Sequence, residues 1–475
     1  MTTPATPIPV RYPDPLRSLI DAFESSGCPA YLIGPRAREL ATGHAIDDAT
    51  SFDLTVDASL SAIESTLHDL FGATANDPKE DRPRLLTFKV PRGEGHLTFN
   101  VGPFRNYLPP LRSLRGQNLS GIILDLATRE VTLQAFGYDS AGNLVDPFGG
   151  TLDLSERVVR PVFPVDSLFR ESASWLLKVA RYVARYGFDA AREVRIAAER
   201  DASGILDVPR EIWRKEIEKV LCGANPAKGL QYLSDTRVLP FVLPEVAALV
   251  WFGEGGGGQH KDIWAHTKQV VANAEATPVV RWAALCHDIG KVWTKQVFRD
   301  DKVHFFRHED MSALLWEAIA ARFEVAPADA ARIRYIIQSH SRVNLYREEW
   351  TDSAVRRLMR EVGEHLDDLI AFSRADLTSK RTERVEMVRS LLTELQIRVL
   401  EIREADAQQS PLPKGIGNAI MERFAIAPGP EIGRLRDVLL SAVESGTLPA
   451  GADTAVYLDY LQPILSDSGT DGVDA

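Results

Sequence analysis

Six histidine and aspartate side chains in the second half of the chain are of the types that bind divalent cations. In chain order they are His266, His287, Asp288, His308, His340 and Asp376. Imidazole nitrogens and carboxylate oxygens are ligands for Mn²⁺, Fe²⁺, Ni²⁺ or Mg²⁺. Side chains from the ends of several helices can meet at one or two such ions within a helical bundle. Because a bound ion activates water and neutralises phosphoryl charge, the set predicts a divalent metal site that acts on a phosphate.

The adjacent pair His287-Asp288 restricts the local structure around such a site. Neighbouring side chains diverge on a helix surface, so both can reach one ion only where a helix begins or ends. Gly290 fits a helix end at this place. Lys291 would then point at a substrate phosphate.

Each of these residues, taken alone, also has a plain structural interpretation. His266 also fits the pattern of a core histidine on an apolar helix, with its ring nitrogens hydrogen-bonded to the protein. The His-Asp-Ile-Gly-Lys segment suits a helix C-terminus with surface charges, His308 suits a solvated helix start, and Asp376 suits an N-cap. The occurrence of the whole set, in order and in one helical module, favours the metal site.

The elements that must position these side chains change in character along the chain. Apolar runs of strand length occur in the first part at 30–33, 85–90, 96–101 and 131–138, and they predict an α+β domain built on one sheet. After Pro164 the apolar residues recur at helical spacing, which predicts helices for the rest of the chain. The predicted domains are an α+β head at 1–165, an all-α neck at 166–252, a module with the metal-ligand set at 253–380 and a helical tail at 381–475.

The composition excludes several classes of protein. Of the 475 residues, 45% are hydrophobic and 25% charged, which is typical of folded domains. The three cysteines share no short spacing, which excludes a disulfide framework and a zinc ribbon. The net charge of −11 argues against non-specific coating of nucleic acid but permits a local basic groove. Because the start lacks a signal-peptide pattern and no apolar run spans a bilayer, we expect a cytoplasmic protein without a membrane partner.

The order of the metal-ligand residues resembles that of the HD phosphohydrolase family. The resemblance implies that a first metal ion is bound by His266, His287, Asp288 and Asp376. It also implies that His308 and His340 complete a second metal site or touch the phosphate. With Lys291, which the local sequence already places near a phosphate, the candidate catalytic group is Asp288, Lys291, His308 and His340.

The head presents fewer groups for chemistry. Asp53 lies in an alternating, strand-like segment, with Ser51 two positions before it and Thr55 two positions after it. Two-metal nucleotidyl transfer needs carboxylates clustered on one strand face, normally at i and i+2. The sequence therefore predicts a head without a complete catalytic set, and a purely structural head remains an alternative.

The layout of the whole chain resembles the bacterial tRNA nucleotidyltransferase and poly(A) polymerase family of the CCA-adding type. Gly34 to Glu39 resembles the family's glycine turn and Arg-Asp helix start, with Pro35 in place of a second glycine. Ser51-Phe52-Asp53 stands where the family has its Asp-x-Asp metal pair, so Asp53 resembles the second member and Ser51 stands in place of the first. Asn100 replaces the third acidic residue.

Other motifs extend this resemblance. Gln117-Asn118-Leu119-Ser120 stands where the family has an Arg-Asp-Phe-Thr motif, and residues 145–150 match a loop of the family. In the neck, Ser172 and Trp175 stand where a base-reading Asp and Arg are expected, whereas Arg181 is retained. The resemblance implies contacts with a nucleotide or RNA at Arg38, Asp53 and Arg181.

Three functions follow as hypotheses. The main one is a metal-dependent HD-type phosphohydrolase, acting on phosphomonoesters or 2′,3′-cyclic phosphodiesters of nucleotides or RNA, with a degenerate and inactive head. The first alternative is a tRNA nucleotidyltransferase that still adds all or part of CCA, which the loss of carboxylates makes the less favoured of the two. The second is a non-catalytic RNA-binding protein. Its candidate RNA contacts are Lys178, Arg181 and Arg185 in the neck and Arg356, Arg357 and Arg360 further on. Such cations more often belong to solvated helix faces.

Overall fold

The structure is a computed structural model, and it describes residues 10–76, 85–93, 95–107, 119–250, 252, 262–299, 303–378, 382–408 and 412–467. The chain divides into two compact units. One comprises Met1–His340 with Arg374–Thr378, and the other comprises Ser341–Ser373 with Ser379–Ala475. The described helices include none with the length and apolar composition that a bilayer crossing requires.

The first unit begins with a mixed sheet. Its described strands are β1 (Ala30–Ile33), β2 (Ser51–Val56), β3 (Ala75–Asn76), β4 (Leu86–Arg92), β5 (Gly95–Pro103), β6 (Gly137–Tyr138) and β7 (Leu144–Val145). They lie in the order β3-β4-β5-β2-β1-β6-β7. Strands β2 and β5 are parallel, and the other neighbours are antiparallel.

Alternation along β2 sorts its side chains between the two faces of the sheet. Phe52 and Leu54 are buried, whereas Asp53 between them is only partly covered. The Phe52 ring stacks against Phe99 of β5 at 5.7 Å, which builds the head core on that face. Helices α1 (Asp14–Ser25), α2 (Gly34–Ala41) and α3 (Leu60–Phe71) accompany the sheet.

The rest of the first unit is mainly helical. Its helices are α4 (Gly121–Ala127), α5 (Gly150–Glu156), α6 (Val165–Glu171), α7 (Trp175–Tyr186), α8 (Arg192–Arg200), α9 (Arg210–Leu221), α10 (Pro226–Asp235), α11 (Leu239–Val242), α12 (Pro244–Ala247), α13 (Ile263–Asn273), α14 (Pro278–Cys286), α15 (Lys291–Thr294), α16 (His308–Arg322) and α17 (Pro327–Ser339). Two small sheets join β8 (Val158–Val159) to β9 (Asp189–Ala190) and β10 (Lys295–Val297) to β11 (Val303–Phe305).

Close packing of α7 on α10 depends on a glycine. A Cβ added at Gly229 would lie 2.8 Å from the Ala184 Cβ and 3.0 Å from the Ala180 carbonyl oxygen. The absence of a side chain at this position therefore lets the two neck helices approach each other at the distance seen.

The second unit is helical throughout its described residues. Its helices are α18 (Asp352–Val362), α19 (Leu366–Ala375, whose last two residues belong to the first unit), α20 (Thr382–Gln408), α21 (Ile416–Phe424), α22 (Pro430–Glu444) and α23 (Thr454–Asp467). Leu435, Leu439 and Tyr457 are fully buried in its core. The predicted fold class, an α+β head followed by helical domains, is confirmed.

Candidate functional site

The six predicted metal-ligand residues all lie in the first unit, and most of them lie at helix ends. His287 and Asp288 directly follow α14, and His308 is the first residue of α16. His340 directly follows α17, and Asp376 directly follows α19. The remaining member, His266, lies within α13 and is 7% exposed. The ends of several helices thus converge on one site.

The ligand-type atoms converge in two adjoining groups. His266, His287 and Asp376 form one group, and Asp288, His308 and His340 form the other, with the atoms of each within 4.8 Å of one another. The Nε2 atoms of His266 and His287 are 3.3 Å apart. The Oδ2 atom of Asp288 lies 3.5 Å and 3.2 Å from those two nitrogens, and its Oδ1 atom lies 3.5 Å from His308 Nε2. Asp288 therefore faces both groups.

Hydrogen bonds fix which ring nitrogen faces the centre. The Nδ1 atoms of His287, His308 and His340 lie 2.9, 3.0 and 2.7 Å from the carbonyl oxygens of the third residue before each. A carbonyl only accepts, so each Nδ1 carries the proton in the neutral ring and each Nε2 keeps a lone pair. A backbone partner of this kind is typical of metal-binding histidines. The donor set therefore fits a divalent cation.

Burial and charge shift the protonation of this cluster in opposite directions. Burial opposes ionisation of Asp288, but His287 and Lys291 outweigh it and hold the pKa of Asp288 well below its ordinary value. Burial lowers the pKa of His340. For His266 burial acts the same way, but hydrogen bonds to Asp288 and Asp376 prevail and raise its pKa. The buried carboxylates thus draw positive charge to the cluster.

Gly290 acts differently from the helix-end glycine that the sequence suggested. Its φ is −66°, so the left-handed conformation of a C-terminal glycine is absent. A Cβ here would lie 2.3 Å from the His308 carbonyl oxygen and 2.6 Å from the Ser312 backbone nitrogen. Gly290 therefore allows the start of α16, with His308, to pack directly against the His-Asp pair.

Lys291 lies beside the cluster. Its Nζ is 2.9 Å from Asp288 Oδ2, and its side chain is 14% exposed. The Lys291 ammonium also lies 5.5 Å from the centre of the Phe305 ring. In this structure Lys291 therefore neutralises Asp288, whereas the sequence predicted that it points at a substrate.

In the head, Asp53 lies on β2, between the neighbouring strands β1 and β5. It pairs with Ile33 on one side and with Asn100 on the other. Asn100 Nδ2 donates to Asp53 Oδ1 at 2.8 Å, and Thr87 Oγ1 donates to Asn100 Oδ1 at 2.9 Å. A Cβ at Gly34, whose φ is +73°, would lie 2.6 Å from Asp53 Oδ2. The glycine turn and the carboxylate are therefore in direct contact.

The two predicted nucleotide-contacting arginines have protein partners. The Arg38 guanidinium lies 5.4 Å from the centre of the Tyr186 ring of α7. Arg181 forms ion pairs with Glu130 at 2.6 Å and with Glu216 at 2.8 Å, and its side chain is 17% exposed. Arg181 thus belongs to a partly buried charge network.

Glu130 at the centre of this network was missed from the sequence. Lys178, Arg181 and Tyr182 all donate to its carboxylate, at 2.7, 2.6 and 2.5 Å. The segment Arg129-Glu130-Val131-Thr132 keeps the order Arg, acidic, apolar, Thr of the motif that we had placed at residues 117–120, of which 117 and 118 lie outside the described residues. That order of residue types was the signal available in the sequence.

Family comparisons match three successive parts of the chain. A model described as the poly A polymerase head domain matches residues 30–160. One described as a probable RNA and SrmB-binding site of polymerase A matches residues 187–249, and the HD domain matches residues 264–379.

Curated relatives are similar over part of the chain. The multifunctional CCA protein of Pseudomonas paraeruginosa is 35% identical over 225 residues, which is 45% of this chain and 52% of that protein. The protein of the same name from Laribacter hongkongensis is 32% identical over 266 residues, covering 53% of this chain and 63% of that protein. The chain thus spans about half the length of the curated relatives that it matches.

Solved structures share the fold over nearly the full chain. The CCA-adding enzyme of Bacillus stearothermophilus in complex with CTP superposes with a TM-score of 0.56 at 19% identity, covering 95% of this chain and 98% of that one. A CCA-adding enzyme in complex with ATP has a TM-score of 0.54 at 17% identity, covering 96% and 95%.

These similarities correct the main functional hypothesis. We expected a chain whose principal activity is HD-type phosphate hydrolysis and whose transferase activity is lost. That hypothesis is wrong, because the relatives are CCA proteins and the fold is that of CCA-adding enzymes. They favour the alternative, a tRNA nucleotidyltransferase, and they support the expectation of an enzyme.

Proposed function

This chain has the head, RNA-binding and HD domains of the poly(A) polymerase and tRNA nucleotidyltransferase family, and we propose that it adds nucleotides to the 3′ end of tRNA. The observation that carries the proposal is the match of all three domains in one chain, with Asp53 against the Gly34 turn of the head. The curated relatives with these domains are named CCA proteins. A role on tRNA also implies a cytoplasmic location.

In the proposed reaction, the 3′ oxygen of the RNA attacks the α-phosphorus of a nucleoside triphosphate, and pyrophosphate leaves. Asp53 would accept the hydroxyl proton as a general base, a role that requires the hydroxyl to bind within hydrogen-bond distance of its carboxylate. Asn100 holds one carboxylate oxygen at 2.8 Å, which orients the side chain. Because positioning supplies much of the barrier reduction in phosphoryl transfer, an oriented Asp53 is the central requirement.

The head does not fit a site for two divalent ions. Ser51 brings no charge, and Asn100 presents an N–H donor to Asp53. Mg²⁺ prefers several oxygen ligands in near-octahedral geometry, with carboxylates among them. Within the described residues, the groups of three metal-ligand side chains lie around the HD cluster. We therefore assign no step of the reaction to a pair of ions bound by the head.

Incorporation of labelled CTP or ATP into tRNA transcripts that lack their 3′ end tests this function. We expect the wild-type chain to extend them and Asp53→Ala to lower the rate about 100-fold or more, the range for loss of a general base. Asp57→Asn is the matched control, because Asp57 is exposed just beyond the end of β2. No extension by the wild type, or equal extension by Asp53→Ala, would refute the proposal.

We also propose that the cluster in the HD domain holds a divalent cation. His266, His287, Asp288 and Asp376 would bind the first ion, and His308 and His340 would join Asp288 at a second position. The predominance of imidazole favours Mn²⁺, Fe²⁺ or Ni²⁺ over Mg²⁺. A bound ion would supply positive charge for a phosphate. His308 would meet that group from the protein side, and Lys291 would do so if the ion replaced it as the partner of Asp288; their side chains are 17% and 14% exposed.

The assignment of Arg38 and Arg181 to nucleotide binding also stays a proposal. Arg38 lies over Tyr186, so a stacked base would meet a cation and an aromatic ring together. Arg181 would have to exchange Glu130 or Glu216 for a phosphate. The domain boundaries at 165, 252 and 380 remain predictions as well.

A further inference from the structure

An exposed aromatic cluster lies on the hairpin that joins α15 to α16. Phe298 is 45% exposed and Phe306 is 54% exposed, and His304 between them in space is exposed too. The His304 and Phe306 rings stack at 5.3 Å with planes 8° apart. Phe298 meets both of them edge to face, at 5.3 Å and 6.2 Å. We call these three residues the aromatic patch.

The patch is not explained by packing within the described residues. Side chains of this size usually lie in a core, and a contiguous exposed group of them marks a binding surface. The rings are also held in mutual contact, so their orientation is set before a ligand arrives. Binding to them therefore costs little side-chain entropy.

The charges beside the patch favour an anionic ligand. Arg299 and Arg307 follow Phe298 and Phe306 directly, and both are exposed. Arg307 is 84% exposed, and its partner is Asp310 at 2.8 Å. The described hairpin residues, 295–299 and 303–307, include no acidic side chain, while Asp300 and Asp301 lie outside the described residues. The described surface therefore combines aromatic rings with cations.

The hairpin is tied to the metal-ligand cluster. Phe305 lies between His304 and Phe306 in the sequence. The Lys291 ammonium is 5.5 Å from the centre of the Phe305 ring. The Phe305 carbonyl oxygen also accepts the Nδ1–H of His308 at 3.0 Å. Lys291 in turn contacts Asp288 at 2.9 Å. The hairpin that carries the patch is therefore in direct contact with residues of the cluster.

We infer that the aromatic patch with Arg299 and Arg307 is a binding site for unpaired RNA, on which bases stack and whose arginines contact the phosphates. Aromatic rings interleaved with cations are the means by which proteins hold single strands without reading sequence. Bases inside a duplex present no free faces, so the site would discriminate against double-stranded RNA. The inference rests on the proposed function in one respect: tRNA with an unpaired 3′ end is then the RNA that the chain encounters.

Fluorescence anisotropy with a labelled, unstructured RNA octamer tests the site in the full chain. We expect Phe298→Ala combined with Phe306→Ala to weaken binding roughly tenfold, in the range measured for loss of base stacking. Leu314→Ala is the matched control, because Leu314 is 58% exposed on α16 and lies outside the patch. Arg299→Gln combined with Arg307→Gln should lower the salt dependence of binding by about one phosphate contact or more.

Three outcomes would overturn the inference. They are unchanged affinity in the double phenylalanine variant, equal affinity for an RNA duplex, and equal weakening by Leu314→Ala. The readout is independent of nucleotide addition. Patch-dependent RNA binding by a chain that fails to incorporate CTP would refute the transferase and retain the site, and the reverse result would refute the site alone.

Discussion

At the scale of single residues, Glu130 makes a set of contacts that no motif in the head predicted. It adopts φ +68°, which few non-glycine residues do, and its carboxylate accepts from three donors on α7. Burial alone would raise its pKa, but Lys178 and Arg181 lower it from 4.5 to about 2. The carboxylate therefore links the head to the neck within the first unit.

This shift predicts a pH-dependent contribution to stability. Because the pKa of Glu130 is lower in the folded chain, the stabilisation is complete above about pH 4.5 and disappears as the pH falls towards 2. We expect Glu130→Gln to lower the free energy of unfolding by about 3 kcal/mol at pH 7, because a pKa lowered from 4.5 to about 2 is worth 1.36 kcal/mol for each pKa unit. Urea unfolding at a series of pH values measures the difference, which should shrink below pH 4.5.

Glu211→Gln provides the control for that prediction. Glu211 also pairs with a lysine at 2.7 Å, but both side chains are 58% exposed, so its loss should have little effect. An equal loss in the two variants, or a loss in Glu130→Gln that is independent of pH, would contradict the role given to Glu130.

The same residue marks a limit of sequence reasoning. The convergence of the six histidine and aspartate side chains could be predicted, because these residue types have few reasons to recur in order within a helical module. The Glu130 network could not, because its donors lie about 50 positions away on another element. Nothing in the local sequence encodes which lysine or arginine will meet a given glutamate.

At the scale of elements, the contact between the His-Asp turn and α16 decides whether the cluster forms. Gly290→Ala would place a Cβ against two backbone atoms of α16, at 2.3 Å and 2.6 Å, and backbone cannot move aside as a flexible side chain can. We expect the variant to displace His308, to lose at least half of its bound metal and to be less stable by about 1–3 kcal/mol. Metal content after purification and the melting temperature measure both effects.

Gly433→Ala is the matched glycine control. Gly433 lies inside α22, and a Cβ there would have no neighbour within 4 Å. Alanine is favoured over glycine in a helix by about 1 kcal/mol, so this variant should be unchanged or slightly more stable. Retention of full metal content by Gly290→Ala would refute the packing argument.

Element boundaries show what tertiary contacts add to sequence pattern. The strands predicted at 85–90 and 96–101 correspond to β4 and β5, since their alternation suits one buried face. The segment 131–138 was predicted as one strand, but it contains a 3₁₀ turn at Thr132–Gln134 and only the short β6. Thr132 Oγ1 donates to Asp153 at 2.6 Å, and Gly150 packs on the Thr132 carbonyl. These non-local contacts fix a turn where apolar pattern favours a strand.

At the scale of the whole molecule, the first unit is completed by a segment from far along the chain. The chain leaves this unit after His340 and returns only for Arg374–Thr378, which brings Asp376 to the cluster. Asp376 Oδ1 lies 3.2 Å from His266 Nε2, and Thr378 Oγ1 lies 2.7 Å from His266 Nδ1. Binding of a cation here would therefore join segments more than 100 positions apart in sequence.

A cation that binds only the folded cluster must stabilise the first unit, and this is the prediction that tests the metal site as a whole. Free ion at 100 times its dissociation constant adds about 2.7 kcal/mol, so removal by a chelator should lower the melting temperature of the purified chain and re-addition of Mn²⁺ or Ni²⁺ should restore it. Asp376→Asn removes a ligand of the first ion only, so it should reduce that response, and it should leave RNA octamer binding unchanged because Asp376 lies outside the aromatic patch. Asp57→Asn should respond like the wild type. A wild-type melting temperature that does not change with chelator or added ion would refute the metal site. A full response in Asp376→Asn would show that Asp376 is not one of its ligands.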